Sequence, residues 1–149
     1  MSEQYVSMDV SDWELWNKEV LYFVQNTMPK ETKKFMRREA GRAATTARKK
    51  ARSTVKKKTG NYFKSIKNSK AWRNSKGGYG AKVYAKKPLG AHAHLLEYGH
   101  NVVIKGKKIG KKTKDFHIIQ RGVKSFEGRF YTDCIAFVNE HVRNGIRGK

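Results

Sequence analysis

The residues best suited to chemistry gather in one short stretch: His92, His94 and His100, with Glu97 among them. A His-x-His pair on an extended strand turns two imidazoles to one side and can begin a metal site. Completing such a site takes a third or fourth ligand, and Glu97 is the only nearby oxygen donor. Ordinary polar packing accounts for these histidines more simply. Glu97 is also the only acid between Glu39 and Asp115. A lone carboxylate in so cationic a stretch is expected to be held by an Arg or Lys as a structural ion pair. The chain carries twelve acids, and no two are spaced as an evident pair for general acid–base work. Cys134 is the single cysteine, which excludes an intrachain disulfide or a cysteine cluster within one chain and fits a reducing cytoplasm. It falls on an apolar stripe and reads as a core residue. Gly77-Gly78-Tyr79-Gly80 continues into neither the P-loop nor the dinucleotide fingerprint. The expectation is therefore no enzyme, with no catalytic, cofactor-binding or metal-binding residue.

Charge is the stronger signal. The formal net charge is +22 over 149 residues, which calls for an anionic partner, either nucleic acid or an acidic protein surface. Residues 1–29 balance at −4, residues 30–124 at +25 and residues 125–149 at +1. The basic load thus lies mid-chain, between ends that hold the most amphipathic segments. Trp72, Tyr79 and Tyr84 stand near cations and could stack on single-stranded nucleic acid, yet no RRM, KH or zinc-finger signature accompanies them. No stretch of 18 apolar residues occurs, and residues 1–10 lack the basic and apolar regions of a leader. Neither a membrane span nor a signal peptide is expected, and no membrane partner.

The elements that position these residues follow from periodicity. Residues 11–27 read as a helix: Ser11 and Glu14 have capping-box spacing. Trp13, Trp16, Val20, Phe23 or Val24, and Thr27 make one apolar stripe. Pro29 is expected to end it and to open the next helix. That helix, residues 29–55, has an apolar face made almost wholly of Ala40, Ala43, Ala44, Ala47 and Ala51, with Gly41 its weak point. Its other faces carry Arg37, Arg38, Arg48, Lys49 and Arg52 among further cations. A small-residue stripe admits a close neighbour, either a sheet or another helix. The basic faces are solvated or meet an anionic partner. Residues 79–85 alternate as a half-buried strand, paired with a weaker strand over 65–74 through a Gly77-Gly78 turn. Residues 92–98 are expected to form a helical turn closed by Gly99. A third short strand covers 102–104. Residues 105–114 hold six lysines and two glycines and read as a mobile loop or hairpin tip. A last helix over 119–142 carries Ile119, Val123, Phe126, Phe130, Cys134, Phe137 or Val138, and His141 or Val142 on one stripe, weakened at Gly122 and Gly128 and stopped at Asn144-Gly145. The result is an α+β fold in one domain, with two N-terminal helices, an antiparallel sheet of three to four strands and a long C-terminal helix.

Two segments point further. Thr59-Gly60-Asn61-Tyr62-Phe63-Lys64-Ser65-Ile66 resembles the TG-x-L-x-x-S-I segment of the phage tail-completion or neck-protein family, small head–tail joining proteins of siphophages and related phages. His94-Leu95-Leu96-Glu97-Tyr98-Gly99-His100 closely resembles that family's HLLEFGH signature. Asp115-Phe116-His117-Ile118-Ile119 stands where the family places P-H-I-x-P-A at the opening of its last helix. Lys57-Lys58 replaces the usual proline before Thr-Gly, and Gln120-Arg121 replaces Pro-Ala. The resemblance covers about residues 30–142, leaving 1–29 as a variant front end. It implies a non-enzymatic subunit of the virion neck or tail end, assembled in the host cytoplasm as a homo-oligomeric ring of six or twelve copies. Its partners would be adjacent connector and tail proteins, with non-specific contact to packaged DNA. The motif residues Thr59, Gly60, Ile66 and His94 to His100 would serve packing. Arg37, Arg38, Arg48, Lys49, Arg52, Lys107, Lys108, Lys111 and Lys112 are the candidates for contacting an anion. A nucleic-acid-binding module acting through its basic middle is the rival reading, and a His-dependent nuclease a remote third.

Overall fold

Alanine has the smallest side chain that still favours helix, and a helix lined with it lets a neighbour come close. The computed structural model describes residues 11–56 and 59–146, with side chains over 14–56 and 59–145. The order is α1 (Ser11–Tyr22), a π-helical turn (Phe23–Thr27), α2 (Met28–Thr54), α3 (Asn61–Ser65), β1 (Ile66–Asn68), β2 (Trp72–Arg73), β3 (Tyr79–Gly80), β4 (Val83–Ala85), α4 (Ala93–Tyr98), β5 (Asn101–Ile104), β6 (Lys107–Lys112) and α5 (Ile118–Ile146). The fold is α+β. The leader-free reading of residues 1–10, the Ser11 cap and Trp13 lie outside the described residues or side chains.

All five alanines of the α2 stripe are buried, and what lies on them is chiefly α5. A Cβ added to Gly122 would stand 2.5 Å from Ala47 Cα, so the two helices meet almost backbone to backbone. Farther along, Phe35 stacks on Phe137 at 4.5 Å and meets Phe130 at 6.2 Å. The pairing of low α2 numbers with high α5 numbers makes the helices antiparallel. Arg42 fixes the register, donating to Glu39 and to Asp133 at 3.0 Å each. The core closes with Phe63, Ile66 and Ile118 over Ala44, Ala47 and Ala51.

The first two helices do not separate at Pro29. Helix continues through it, and the turn ahead widens: Met28 N–H reaches back to Phe23 O, five residues away. Proline lacks the N–H of an ordinary helical turn and its ring crowds the preceding one. A π turn relaxes that crowding without ending the helix. Val20 and Phe23 are half-buried while Val24 is exposed, which settles the stripe in favour of Phe23.

The expected hairpin is present but bent. β1 pairs with β4 and β2 with β3, all antiparallel. Between the two ladders Ser69 takes over, its N–H donating to Lys82 O and its Oγ accepting from Lys82 N–H. The strand expected over 79–85 is therefore two short ones. Asn74 Oδ1 accepts from the N–H groups of Lys76 and Gly78 and shapes the turn. Of the two expected forms of the lysine-rich segment, loop or hairpin tip, the hairpin is the one observed, and the segment extends into its second strand. It forms β6, paired with β5 across Lys105 and Gly106, both at positive φ, as a two-residue hairpin turn of the primed type requires. α5 runs on through Asn144-Gly145 to Ile146, and at Gly145 Phe23 approaches where a side chain would collide.

Gly122 and Gly128 sit in the same helix with opposite surroundings, since nothing lies within 4 Å of a Cβ at Gly128. Gly128→Ala should raise stability by about 0.8–1 kcal/mol through helix propensity. Gly122→Ala should lower it by about 1–3 kcal/mol through overpacking. Thermal melts of the two variants are expected to shift in opposite directions, and equal shifts would show that the close helix contact is absent.

Candidate functional site

Glu97, in the last turn of α4, is the hub of the site and is 8% exposed. Tyr62 Oη donates to its Oε1 at 2.7 Å. The backbone N–H of Ile119 donates to Oε1 at 3.1 Å and to Oε2 at 3.3 Å. Among the described residues no Arg or Lys is its partner. Its charge is met by a phenol and by the positive N-terminal end of α5, where free N–H groups face outward. One carboxylate thereby joins the 59–66 segment, the 94–100 segment and the last helix. Burial first, and the hydrogen bond to Glu97 second, push the Tyr62 phenol well above its ordinary range.

The rest of the second motif shapes the turn around that carboxylate. Gly99 has φ 66, and a Cβ there would come within 2.5 Å of Thr113 O, so both conformation and space require glycine. His100 N–H donates to Thr113 Oγ1, and Thr113 N–H to His100 O, closing the root of the β5–β6 hairpin. Phe116 and His117 N–H groups donate to the carbonyls of Leu96 and Glu97. Leu95 and Leu96 are half-buried, and Tyr98 is exposed with its ring edge-on to His117. His94 Nδ1 donates to Ala91 O, while His92, His94 and His100 all face solvent. Among the described residues no group of three or more His, Cys, Asp or Glu is placed to hold a metal ion. In the first motif Thr59 Oγ1 accepts from Asn61 N–H, Gly60 precedes α3 at positive φ, and Ile66 is fully buried. Tyr62, Thr113 and Ile119 are the members that sequence reasoning missed. Tyr62 lay inside a quoted motif, but a backbone N–H leaves no trace in residue type.

The candidate anion contacts divide between two places. On α2, Arg37 and Arg38 line a depression with Lys34 and Lys70. Arg38, Arg42, Lys49 and Arg129 line another. Arg38 and Arg42 are partly committed to Glu39, and Arg48 donates to Ala44 O and Thr45 Oγ1. Arg52 is exposed and lines a separate depression with Lys56 and Lys64. Lys107, Lys108, Lys111 and Lys112 are all exposed along β6. Burial raises the Cys134 thiol above its usual range, which suits a packing role and not a nucleophile. An open, mostly apolar groove of about 1150 Å³ lies between α2, the β3–β4 strand and α5. No described helix is long and apolar enough to cross a membrane.

A family model described as "Bacteriophage HK97-gp10, putative tail-component" matches residues 18–99. That span holds the first motif and the second as far as Gly99, and stops before His100, the β5–β6 hairpin and α5. No curated protein and no solved structure matches the chain.

Removing the Glu97 carboxylate strands two donors in a partly buried site. Glu97→Ala should therefore cost about 2–4 kcal/mol, and Tyr62→Phe about 1 kcal/mol. The double variant should lose less than the sum, because both remove the same bond. Urea melts that add fully would break the proposed link. The pH dependence has a definite sign. Folding raises the Tyr62 pKa, so its contribution is full below about pH 10, the unfolded value, and is lost as pH climbs beyond it. The stability gap between the native chain and Tyr62→Phe should narrow above that pH.

Proposed function

The chain belongs to the bacteriophage HK97-gp10-like family of tail components, and on that premise we propose that it is a structural, non-enzymatic subunit of the head–tail junction. In this reading several copies form a closed ring that joins connector and tail. The observation that carries it is the family match over the first motif and all of the second but His100, which Glu97 ties into one packed unit with α5. A second feature agrees. α5 leaves Tyr131, Ile135, Val138 and Val142 exposed, and Leu15, Leu21 and Tyr22 of α1 and Val24 of the π-helical turn are exposed as well. Apolar surface of that extent marks a protein-binding face. A ring forms when one surface of a copy fits a different surface of the next and the rotation between them closes. Six or twelve copies would suit a junction between rotationally symmetric neighbours.

The cations serve assembly in this reading, by meeting an acidic neighbour or the passing DNA, without reading its sequence. The rival, a nucleic-acid module, draws on the net charge of +22 and on the exposed indole of Trp72. Its binding would fall steeply with salt in proportion to the phosphates contacted.

Quantitative mass spectrometry of purified virions should find six or twelve copies of the chain per particle, and none in virions would overturn the reading. Replacing Lys107, Lys108, Lys111 and Lys112 with Gln should change stability by less than about 0.5 kcal/mol, because exposed charges contribute little. The same variant, supplied to a phage lacking the gene, should yield fewer joined heads and tails by electron microscopy. Normal joining with full DNA retention would show those lysines to be a solvated edge only.

A further inference from the structure

From two surfaces that the fold leaves unsatisfied, we infer that the β5–β6 hairpin of one copy seats in the groove between α2, the β3–β4 strand and α5 of the next. The inference rests on the ring reading and names the contact that would close it.

The hairpin packs chiefly on itself. Every residue of β6 is exposed, and Val103, Ile104 and Ile109 are 54%, 54% and 42% exposed. An isolated two-stranded ribbon is marginal in water and offers free edges for pairing. Two isoleucines near its tip are difficult to explain in an element that touches only solvent.

The groove has the complementary character. Met36, Val123, Phe126 and Phe130 give it an apolar wall. Of its three acids Glu97 is held by Tyr62 and Ile119 and Glu39 Oε1 by Arg38 and Arg42, so Glu127 and the second oxygen of Glu39 face a neighbour, beside Lys82 and Lys124. Glu39 is 1% exposed, and among the described residues its Oε2 has no hydrogen-bond partner. The hairpin brings the opposite charge, with Lys105, Lys107, Lys108, Lys111 and Lys112 and no acid of its own.

Size agrees as well. A two-stranded ribbon is about 10 Å through its side chains and about 10 Å across, and three residues of each strand run about 10 Å. The open groove offers about 1150 Å³, room for a hairpin tip of that size. Hairpin into groove is a contact between unlike surfaces, the kind that generates a ring when its rotation closes.

The test is disulfide trapping in the full-length chain carrying Cys134→Ser, Ile109→Cys and Val123→Cys, purified as the assembled oligomer. Mild oxidation should give a ladder of covalent multimers that ends at the ring mass and is absent from either single-cysteine variant. A cross-link confined to one chain, or an intact ring with no cross-link, overturns the contact while leaving the ring reading standing. A chain that never assembles, alone or in virions, overturns both. As a second readout, Glu127→Lys should weaken assembly tenfold or more, since like charges then face each other. Adding Lys108→Glu and Lys111→Glu should restore it. Failure of that rescue in variants with unchanged circular dichroism counts against the contact.

Discussion

One carboxylate holds together what the chain separates. Glu97 lies 35 residues from Tyr62 and 22 from Ile119, and both donors point at it. The consequence reaches the last helix. α5 begins after His117, a residue with positive φ and no hydroxyl or amide suited to an ordinary cap. The cap is supplied from α4 instead. A helix that contains Gly122 and Gly128 has little intrinsic stability in its first turns and depends on what it packs against. Glu97 fixes its start, and the negative charge there also suits the helix dipole.

The close contact between α2 and α5 builds on that start. With Ile118 and Ile119 held in place, Gly122 falls one turn later, directly over Ala47. Alanine on one side and glycine on the other leave no side chain long enough to hold the helices apart. Phe35, Phe130 and Phe137 fill the wider end of the same interface. The Arg42 bridge to Asp133 prevents the two smooth faces from slipping by a turn. Small residues near the anchored end and aromatic residues at the far end give a tapered seam with one register.

Much of this was legible in the residues. The three-and-four spacing gave helices at both ends, alternation gave the first hairpin, and the two motifs marked the segments that pack together. The misreadings share one cause: sequence shows side chains, while the deciding groups were backbone or context. A carboxylate among cations suggests an ion pair, but the preferred partners of Glu97 are a peptide N–H and a phenol. Pro29 ordinarily ends a helix, yet a widened turn absorbs it. β6 carries Lys-Lys-Ile-Gly-Lys-Lys with no alternation, because a strand exposed on both faces has no core to write a period into its sequence. The candidate anion contacts were legible as charge and exposure, but not as separate surfaces.

The charge itself constrains how copies can assemble. Several acids are already engaged within the subunit: Glu31 with Lys34, Glu39 with Arg38 and Arg42, Asp133 with Arg42 and Arg129, Asp115 with His117. What remains outside is overwhelmingly positive, at +22 per copy. Identical subunits of that charge repel, so a ring must draw its stability from apolar burial and from the few acids still free to face a neighbour. Salt screens such repulsion, with a Debye length of about 8 Å at physiological ionic strength. Contact with phosphates behaves in the reverse sense, since counter-ion release makes it weaker as salt rises. The two roles open to the same lysines and arginines are thus separated by the sign of their response to salt. A ring of the kind proposed would strengthen where any hold on DNA loosened, and an anionic neighbour that neutralised the outer cations would favour assembly at low salt as well.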